Sequence, residues 1–341
     1  MKAAHPPTLR VVTERWPIAG AFTISRGSKT EAEVVVAEVS DGIDRGRGEC
    51  VPYGRYNETS EAVSAAISAL APQIARGLDR AELQGLLPAG AARNALDCAL
   101  WELEARRTAQ AVWALAGLDP PRPLVTTFTL GADEPEVMAE GARKWAAAQA
   151  LKVKLTGDRQ LDIARVKAVR EARPQVWLGV DANQGYSVSN LSRLVPALVE
   201  ANVTQLEQPV ARGEEAGLED FDSPIPLVAD ESALGLADLA GLVGRFDMVN
   251  IKLDKCGGLT EGLAMAREAR RLGLGLMVGN MMGSSLAMAP SFIVGQLCDV
   301  VDLDGPTFLK RDRTPAVTYS DGLIWVDEAV WGRAPLSTRS R

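Results

Sequence analysis

The sequence has a single histidine, His5, among its 341 residues. His5 lies close to the start of the chain, where we expect the backbone to fray. A Ser-His or Cys-His catalytic pair therefore cannot be built from this chain, and most hydrolase mechanisms depend on such a pair. The scarcity of histidine excludes those mechanisms.

Cysteine is also scarce, and the four cysteines are far apart, with no C-x-x-C pair among them: Cys50, Cys98, Cys256 and Cys298. This pattern suits a reducing compartment and argues against a zinc site built from cysteines.

Long apolar runs are absent as well. No run approaches the length of about 18 residues that a membrane span needs, and the first twenty residues lack the apolar core of a signal peptide. The net charge of -7 argues against binding to nucleic acid or to an anionic membrane, both of which favour basic patches. We therefore expect a soluble cytoplasmic enzyme with a small-molecule substrate, and leave open whether it forms a homo-oligomer.

Short apolar runs rich in Val, Ile and Leu recur every 22 to 28 residues in the second two-thirds of the chain. The eight runs are LVTTFTLG from 124, LKVKL from 151, VWLGVDAN from 176, TQLEQP from 204, PLVADES from 226, MVNIKL from 248, LGLMVGN from 274 and VVDLDGP from 300. Segments with helical periodicity, such as LDIARVKAVREARP, separate them. This alternation predicts parallel strands with crossover helices.

Eight such units predict a modified (β/α)8 barrel over residues 120–314, tighter than the usual size of about 250 residues. A doubly wound open sheet is the alternative, but its G-x-G-x-x-G fingerprint is missing, since G-x-G occurs only at Gly46-Arg47-Gly48. Residues 1–119 read instead as an α+β capping domain, with a strand in TEAEVVVAEVSDG followed by amphipathic helices. The strand-like GLIWV suggests that residues 315–341 return to this first domain.

Charged or amide residues lie at the ends of seven of the eight predicted strands: Lys152, Lys154, Asp181, Glu207, Asp230, Lys252, Asn280, Asp302 and Asp304. Barrel enzymes place their chemistry at this rim. Asp181, Glu207 and Asp230 follow consecutive strands, so their carboxylates would converge and repel one another unless a cation lay between them. Carboxylate oxygens are the usual ligands of Mg²⁺, and these three are the predicted ligands of one Mg²⁺ ion. Three exposed rim acids are the alternative.

Two lysines flank this trio. Lys154 follows the second predicted strand and Lys252 the sixth, which are opposite one another in an eight-stranded barrel. Amines on two sides of a bound cation suit removal of a proton from one face of a planar intermediate and return of a proton to the other face.

A lysine must be neutral to act as a base, although its ordinary pKa is near 10.4. Lys152 and Lys154 are two positions apart, so they share one face of an extended strand. A neighbouring positive charge disfavours the charged form, so Lys152 and the metal would lower the pKa of Lys154. Lys255 has the opposite strand parity to Lys252, and we expect it to point away from the site.

The motifs LKVKL, VDAN, LEQP, ADES and NIKLDKCGG, in this order and spacing, resemble the muconate-lactonizing subgroup of the enolase superfamily. The resemblance covers nearly the whole chain. It implies a capping domain over a modified barrel, Lys154 and Lys252 as an acid/base pair, and Mg²⁺ held by Asp181, Glu207 and Asp230.

Within that subgroup the chain is most similar to the dipeptide epimerases that act on L-Ala-D/L-Glu, because it has D-x-D, Asp302-Leu303-Asp304, after the eighth strand. Two carboxylates on one face could receive the α-ammonium of a dipeptide. The resemblance also implies substrate contacts from Thr129, Lys152 and Asn280, and places Arg26 on a specificity loop that binds the side-chain carboxylate of a C-terminal Glu.

The predicted function is thus Mg²⁺-dependent epimerisation of L-Ala-L-Glu and L-Ala-D-Glu in the degradation of murein peptides. Asn280 and the GNMMGSS loop depart from the usual pattern of the subgroup, so other dipeptides stay open. A cycloisomerase, dehydratase or o-succinylbenzoate synthase on the same scaffold and a non-catalytic metal-binding relative are the alternatives.

Overall fold

The computed structural model describes residues 6–24 and 27–332. The chain begins with an antiparallel sheet of three strands in the order β1-β2-β3, namely β1 (Thr8–Ile24), β2 (Gly27–Ser40) and β3 (Arg45–Cys50). The strand predicted in TEAEVVVAEVSDG lies within β2. Gly42, at φ 88°, occupies the turn into β3, a conformation that glycine adopts without steric cost.

A short 3-10 helix, Gly54–Tyr56, and five α-helices follow, namely α1 (Ser60–Ser68), α2 (Ala71–Ala75), α3 (Arg80–Leu83), α4 (Ala91–Thr108) and α5 (Val112–Leu115). Side chains cap two of them, as their sequences favour. Thr59 accepts a hydrogen bond from the amide of Ala62 at the start of α1, and Asp79 forms a capping box with Glu82 at the start of α3.

Helix α4 is buried over most of its length because it packs against β2 and β3 and also against helices of the second part of the chain. Gly46 and Gly48 of β3 permit this close approach. A Cβ atom at Gly46 would lie 2.0 Å from the carbonyl oxygen of Ala99, and one at Gly48 would lie 2.0 Å from that of Ala95. The G-x-G of the sequence therefore serves helix packing.

The second part of the chain contains an eight-stranded parallel sheet, which confirms the predicted barrel-type fold. After the short strand β4 (Leu124–Val125), its members are β5 (Thr127–Leu130), β6 (Ala150–Lys154), β7 (Trp177–Asp181), β8 (Gln205–Glu207), β9 (Leu227–Ala229), β10 (Met248–Ile251), β11 (Gly275–Val278) and β12 (Val300–Val301). Seven of them fall within a predicted run, and β6 begins one residue before its run. The strands are largely buried because one face lies toward the barrel interior and the other is covered by helices.

The helices of this part are α6 (Pro135–Lys144), α7 (Arg159–Ala172), α8 (Val188–Glu200), α9 (Leu253–Cys256), α10 (Leu259–Arg271) and α11 (Ser285–Gly295). Short 3-10 helices, Glu215–Leu218 and Leu236–Leu242, stand after β8 and β9 in place of α-helices. All residues of α11 are buried. None of the helices in the described ranges is long and apolar enough to cross a membrane.

Side chains connect the first and last strands of this sheet. Within residues 6–24 and 27–332, β5 and β12 have no backbone pairing. Instead Thr127 Oγ1 donates to Asp302 Oδ1 at 2.6 Å, the amide of Thr129 donates to Asp304 Oδ2 at 2.6 Å, and the amide of Leu303 donates to Thr126 Oγ1 at 3.0 Å. The D-x-D segment thus lies at the seam of the barrel.

The C-terminal strands β13 (Thr318–Ser320) and β14 (Leu323–Trp325) form a small antiparallel sheet with β4. Farther along, the indole of Trp331 donates to the carbonyl of Arg47 in β3 at 2.8 Å. The C-terminal segment therefore contacts both parts of the protein, and the exact division into domains stays a prediction.

Candidate active site

The carboxylates of Asp181, Glu207 and Asp230 lie together at the carboxyl ends of β7, β8 and β9. All three residues are buried, and one oxygen from each lies within 4.8 Å of the others. Parallel pairing aligns Lys154 with Asp181 and Asp181 with Glu207, so the side chains converge because their strands are in register.

The surroundings of this triad suit a divalent cation. The amide of Asn183 donates to Asp181 Oδ1 at 2.8 Å, and Asn250 Nδ2 donates to Glu207 Oε1 at 2.9 Å. The second oxygen of Glu207 receives no hydrogen bond in suitable geometry, although the ammonium of Lys152 lies 2.6 Å from it. A buried carboxylate oxygen that lacks a hydrogen bond and lies close to two further carboxylates can serve as a ligand of Mg²⁺, which prefers oxygen ligands.

Lys154 and Lys252 contact different acids of the triad. Lys154 Nζ lies 2.5 Å from Asp181 Oδ2, and Lys252 Nζ lies 2.7 Å from Asp230 Oδ2. These acids end β7 and β9, on either side of the strand that carries Glu207. The two amines therefore contact the acids of the two outer strands of the cluster, and the strand that carries Glu207 lies between those strands.

Lys152 is bound to several acids at once. Its Nζ atom lies 2.6 Å from Glu207 Oε2, 2.8 Å from Asp302 Oδ2 and 3.5 Å from Asp181 Oδ2. Burial opposes the charged form, but Asp302, Glu207 and Asp181 outweigh it and raise the pKa of Lys152 well above its ordinary value. Lys152 and Lys154 share the oxygen Asp181 Oδ2, so they reach the same side of their strand.

The acids of the triad differ in their electrostatics. Burial and the neighbouring Asp181 raise the pKa of Glu207 to about 7. Burial acts in the same direction on Asp230, but Lys252 and Lys255 outweigh it and hold the pKa of Asp230 well below its ordinary range. Burial opposes ionisation of Lys252 too, yet Asp230 and Glu207 raise the pKa of its ammonium.

Lys255 also reaches this cluster, contrary to the expectation from strand parity. Its Nζ atom donates to Asp230 Oδ1 at 2.6 Å and to the carbonyl of Asn250 at 3.0 Å. The parity rule fails because β10 ends at Ile251 and α9 begins at Leu253, so Lys255 lies on a helical turn. The Gly-Gly pair that follows in LDKCGG was the available signal for such a turn.

The predicted substrate contacts fall around one cavity of about 810 Å³, which is lined by Lys154, Lys252 and Asp230 among others. Thr129, Lys152, Asn280, Asp302 and Asp304 line it as well. Asn280 Nδ2 donates to the carbonyl of Asp302. Burial and the neighbouring Asp302 raise the pKa of Asp304 to about 7, whereas Lys152 and Thr127 overcome the effect of burial and lower the pKa of Asp302. Arg26 lies outside the described residues.

Sequence patterns do not single out two further residues that line this cavity. Glu231, next to Asp230, is buried, lines the cavity and forms an ion pair with Arg55 of the capping domain. Tyr56, which follows Arg55 in the chain, also lines the cavity, and burial raises the pKa of its hydroxyl. These contacts connect segments that are far apart in sequence, so local patterns could not reveal them.

The chain belongs to the mandelate racemase / muconate lactonizing enzyme family of the enolase superfamily. Residues 7–117 match the N-terminal domain of that family, and residues 137–330 match the enolase C-terminal domain-like family. Together with the buried carboxylates and lysines, the similarity to the epimerases described next identifies the chain as an isomerase of the epimerase class.

Its relatives include several epimerases and a racemase. An L-Ala-D/L-Glu epimerase of Escherichia coli (strain K12) is 45% identical over 317 residues, which cover 92% of this chain and 98% of that protein. An N-acetyl-D-glutamate racemase of a Pseudoalteromonas species is 40% identical, with 90% and 97% covered. A hydrophobic dipeptide epimerase of Roseobacter litoralis is 34% identical, with 88% and 90% covered.

Solved structures of similar chains have the same fold. An enolase family member from Agrobacterium tumefaciens with homology to dipeptide epimerases, bound to sodium and L-Ala-L-Glu, superposes with a TM-score of 0.92 at 43% identity and covers 96% of this chain and 100% of that one. A dipeptide epimerase from Enterococcus faecalis, complexed with Mg and L-Leu-L-Tyr, has a TM-score of 0.86 at 28% identity, with 94% and 96% covered.

Proposed function

We propose that this protein is a Mg²⁺-dependent dipeptide epimerase that interconverts L-Ala-L-Glu and L-Ala-D-Glu. The observation that carries the proposal is the pairing of Lys154 and Lys252 with two different members of one buried acidic triad, at a shared cavity. This arrangement supports the transfer of a proton at one carbon atom by two amines. The similarity to L-Ala-D/L-Glu epimerases supports the choice of substrate.

Asp181, Glu207 and Asp230 would hold the cation. When bound, Mg²⁺ would supply positive charge that favours the loss of the α-proton and offsets the negative charge of the resulting enediolate. Lys152, close to Glu207 and Asp302, adds positive charge on the same side of the cavity. Burial of these groups strengthens their interactions because little water screens them.

Lys154 and Lys252 exchange roles between the two directions of the reaction. One amine removes the α-proton of the glutamate residue and the ammonium of the other delivers a proton to the opposite face. The base must be neutral, and the carboxylates that raise the pKa of Lys252 are the proposed metal ligands. Their effect on Lys252 falls when they share their charge with a bound cation.

The ends of the dipeptide would be recognised by residues at the rim of the cavity. Asp302 and Asp304 would accept hydrogen bonds from the α-ammonium, and Arg26 would bind the side-chain carboxylate. Thr129 and Asn280 line the same cavity and are hydrogen-bonded to Asp304 and Asp302, respectively. Such a substrate is consistent with a cytoplasmic role in the degradation of murein peptides.

Incubation of the purified protein with L-Ala-L-Glu and Mg²⁺ in D₂O tests the proposal. We expect deuterium at the glutamate α-carbon, seen by mass spectrometry, together with L-Ala-D-Glu, seen by chiral chromatography. Absence of exchange with this dipeptide and with a library of other dipeptides would exclude the proposed reaction and favour a cycloisomerase or dehydratase on this scaffold.

Racemisation of an N-acylated glutamate is a second candidate, favoured by the state of the D-x-D pair. Asp302 is already paired with Lys152, and the pKa of Asp304 is raised to about 7, so the pair attracts an ammonium less strongly than two free carboxylates would. The racemase relative supports this candidate. Competition between L-Ala-L-Glu and N-acetyl-L-glutamate in one D₂O incubation distinguishes the two, and we expect the dipeptide to have the larger kcat/KM.

A further inference from the structure

The turn that carries Lys252 is short and is shared with Lys255. Lys252 is the N-cap of α9, and its carbonyl oxygen accepts the amides of Lys255 at 2.9 Å and of Cys256 at 3.1 Å. A helix of one turn has little stability of its own. Its geometry, and with it the position of the Lys252 backbone, must therefore be fixed by contacts to other parts of the protein.

Asp254, in the middle of this turn, is directed at the capping domain rather than at the triad. Its Oδ1 atom accepts the amide of Val51, just after β3, at 2.9 Å, and Nδ2 of Asn94 in α4, also at 2.9 Å. Asp254 is buried. Loss of a buried acceptor leaves its donors unsatisfied, which is unfavourable, so these bonds hold the turn firmly.

Asn94, one of the two donors to Asp254, is itself held in position. Cys98 Sγ donates to Asn94 Oδ1 at 3.3 Å, one turn farther along α4, which sets the orientation of the amide. Arg93 of the same helix donates to the carbonyl of Cys256 at 2.6 Å. Helix α4 of the capping domain thus forms hydrogen bonds with both the middle of the turn, at Asp254, and its end, at Cys256.

The segment after Lys154 is held differently. Asp162 of α7 accepts the amide of Thr156 at 3.0 Å and that of Gly157 at 2.9 Å. Asp162 also accepts the hydroxyl of Tyr186 at 2.6 Å. All of these groups belong to the barrel, so the two lysines are positioned by carboxylates that depend on different parts of the protein.

We propose that Asp254 is a positioning residue that transmits the docking of the capping domain to Lys252, so that the capping domain governs proton transfer on one face of the substrate only. The inference rests on the proposed two-lysine reaction. Misplacement of a reacting group by about 1 Å can cost about 100-fold in rate. Removal of Asp254 should therefore slow proton transfer by Lys252 and leave the rate of proton transfer by Lys154 unchanged.

Solvent exchange at the α-carbon separates the two halves. Each pure epimer is incubated with the Mg²⁺-loaded enzyme in D₂O, and the initial rate of deuterium uptake into unreacted substrate is measured by mass spectrometry. Lys252→Ala identifies which epimer presents its proton to Lys252. The quantity compared between variants is the ratio of the exchange rates of the two epimers. A general loss of folded protein lowers both rates by the same factor and leaves this ratio unchanged.

Four variants complete the test. Asp254→Ala removes the acceptor, and we expect it to lower exchange of the Lys252-facing epimer by about tenfold or more relative to the other epimer. Asp254→Asn keeps Oδ1 as an acceptor, and we expect it to restore the wild-type ratio. Thr260→Val removes the hydroxyl that Trp101 and Asp97 share in the neighbouring interdomain contact, and we expect an unchanged ratio. Asp162→Ala should shift the ratio in the opposite direction.

The outcomes separate the two levels of the proposal. A ratio that changes in Asp254→Ala and returns in Asp254→Asn supports the positioning role. An equal decrease for both epimers in Asp254→Ala, or a changed ratio in Thr260→Val, overturns that role while the two-lysine reaction stands. Absence of exchange by the wild-type enzyme for every dipeptide tested overturns the proposed function and the inference with it.

Discussion

The ammonium of Lys152, on the second strand of the barrel, lies 2.8 Å from Oδ2 of Asp302, across the seam between the first and the eighth strand. The same ammonium lies 2.6 Å from Glu207 of the acidic triad. Lys152 therefore connects the proposed metal ligands with the proposed ammonium-binding pair. Because Asp302 is occupied in this way, we expect Asp304 to be the member of the pair that receives a substrate ammonium.

Replacement of Asp304 tests this division of roles. We expect Asp304→Asn to raise KM for L-Ala-L-Glu by about 10- to 100-fold, because a charge-assisted hydrogen bond is lost, and to change KM for N-acetyl-L-glutamate much less. Steady-state kinetics with both substrates measure the effect. Asp299→Asn, at an exposed ion pair with Arg270 near the start of the same strand, is the matched control. Equal effects on both substrates would contradict the assignment.

Metal binding should stabilise the protein through the triad. A ligand that binds only the folded state adds about 2.7 kcal/mol when present at about 100 times its Kd. We expect Mg²⁺ to raise the Tm of the EDTA-treated wild type, and to raise that of Glu207→Gln much less, because one ligand charge is gone. Glu200→Gln, at an exposed ion pair with Lys167, should behave as the wild type. A full Mg²⁺ response in Glu207→Gln would show that the ion binds elsewhere.

Stability should depend on pH through Asp254. Burial, opposed by the amide of Val51 and by Asn94, raises the pKa of this carboxyl from its ordinary value of 3.8 to about 7. Because the raised pKa belongs to the folded state, the neutral form contributes stability that is fully present below about pH 4 and is lost as the pH rises to about 7. Each pKa unit corresponds to about 1.4 kcal/mol.

Asp254→Asn cannot titrate, so the free energy of unfolding of the wild type should fall relative to that of the variant between about pH 4 and about pH 7. Urea unfolding at a series of pH values measures the difference. A difference that stays constant over this range would show that Asp254 is ionised in the folded protein with an ordinary pKa.

Gly279 provides the space in which Lys252 lies. A Cβ atom at this position would be 2.6 Å from Asn250 Oδ1 and 2.9 Å from Lys252 Cε. We expect Gly279→Ala to lower kcat by about 100-fold by displacing the lysine, with near-wild-type circular dichroism. Gly241→Ala, where a Cβ atom meets nothing within 4 Å, is the control. Undiminished kcat in Gly279→Ala would mean that Lys252 acts from a different position.

The fold was predictable because each barrel strand is a short apolar run with its own helix or turn, and parallel pairing aligns the strand ends without further information. That is why Asp181, Glu207 and Asp230 could be expected to converge. The family was predictable from the motifs at those ends. The roles of the individual site residues stay predictions.

What the sequence could not show are the contacts between distant segments. Lys255 was misjudged because strand parity ends where the chain turns into α9. The pairing of Arg55 with Glu231, and of Asn94 with Asp254, joins residues more than 150 positions apart. No local pattern encodes such pairs, since they depend on how the capping domain docks on the barrel.

We propose that Lys154 and Lys252 act on opposite faces of one carbon atom. The most direct test compares solvent deuterium uptake by L-Ala-L-Glu and by L-Ala-D-Glu in Lys154→Ala and Lys252→Ala. We predict that neither variant epimerises, and that each still exchanges one epimer, a different one in each case. Exchange of the same epimer by both variants, or epimerisation at wild-type rates by either, would contradict the account.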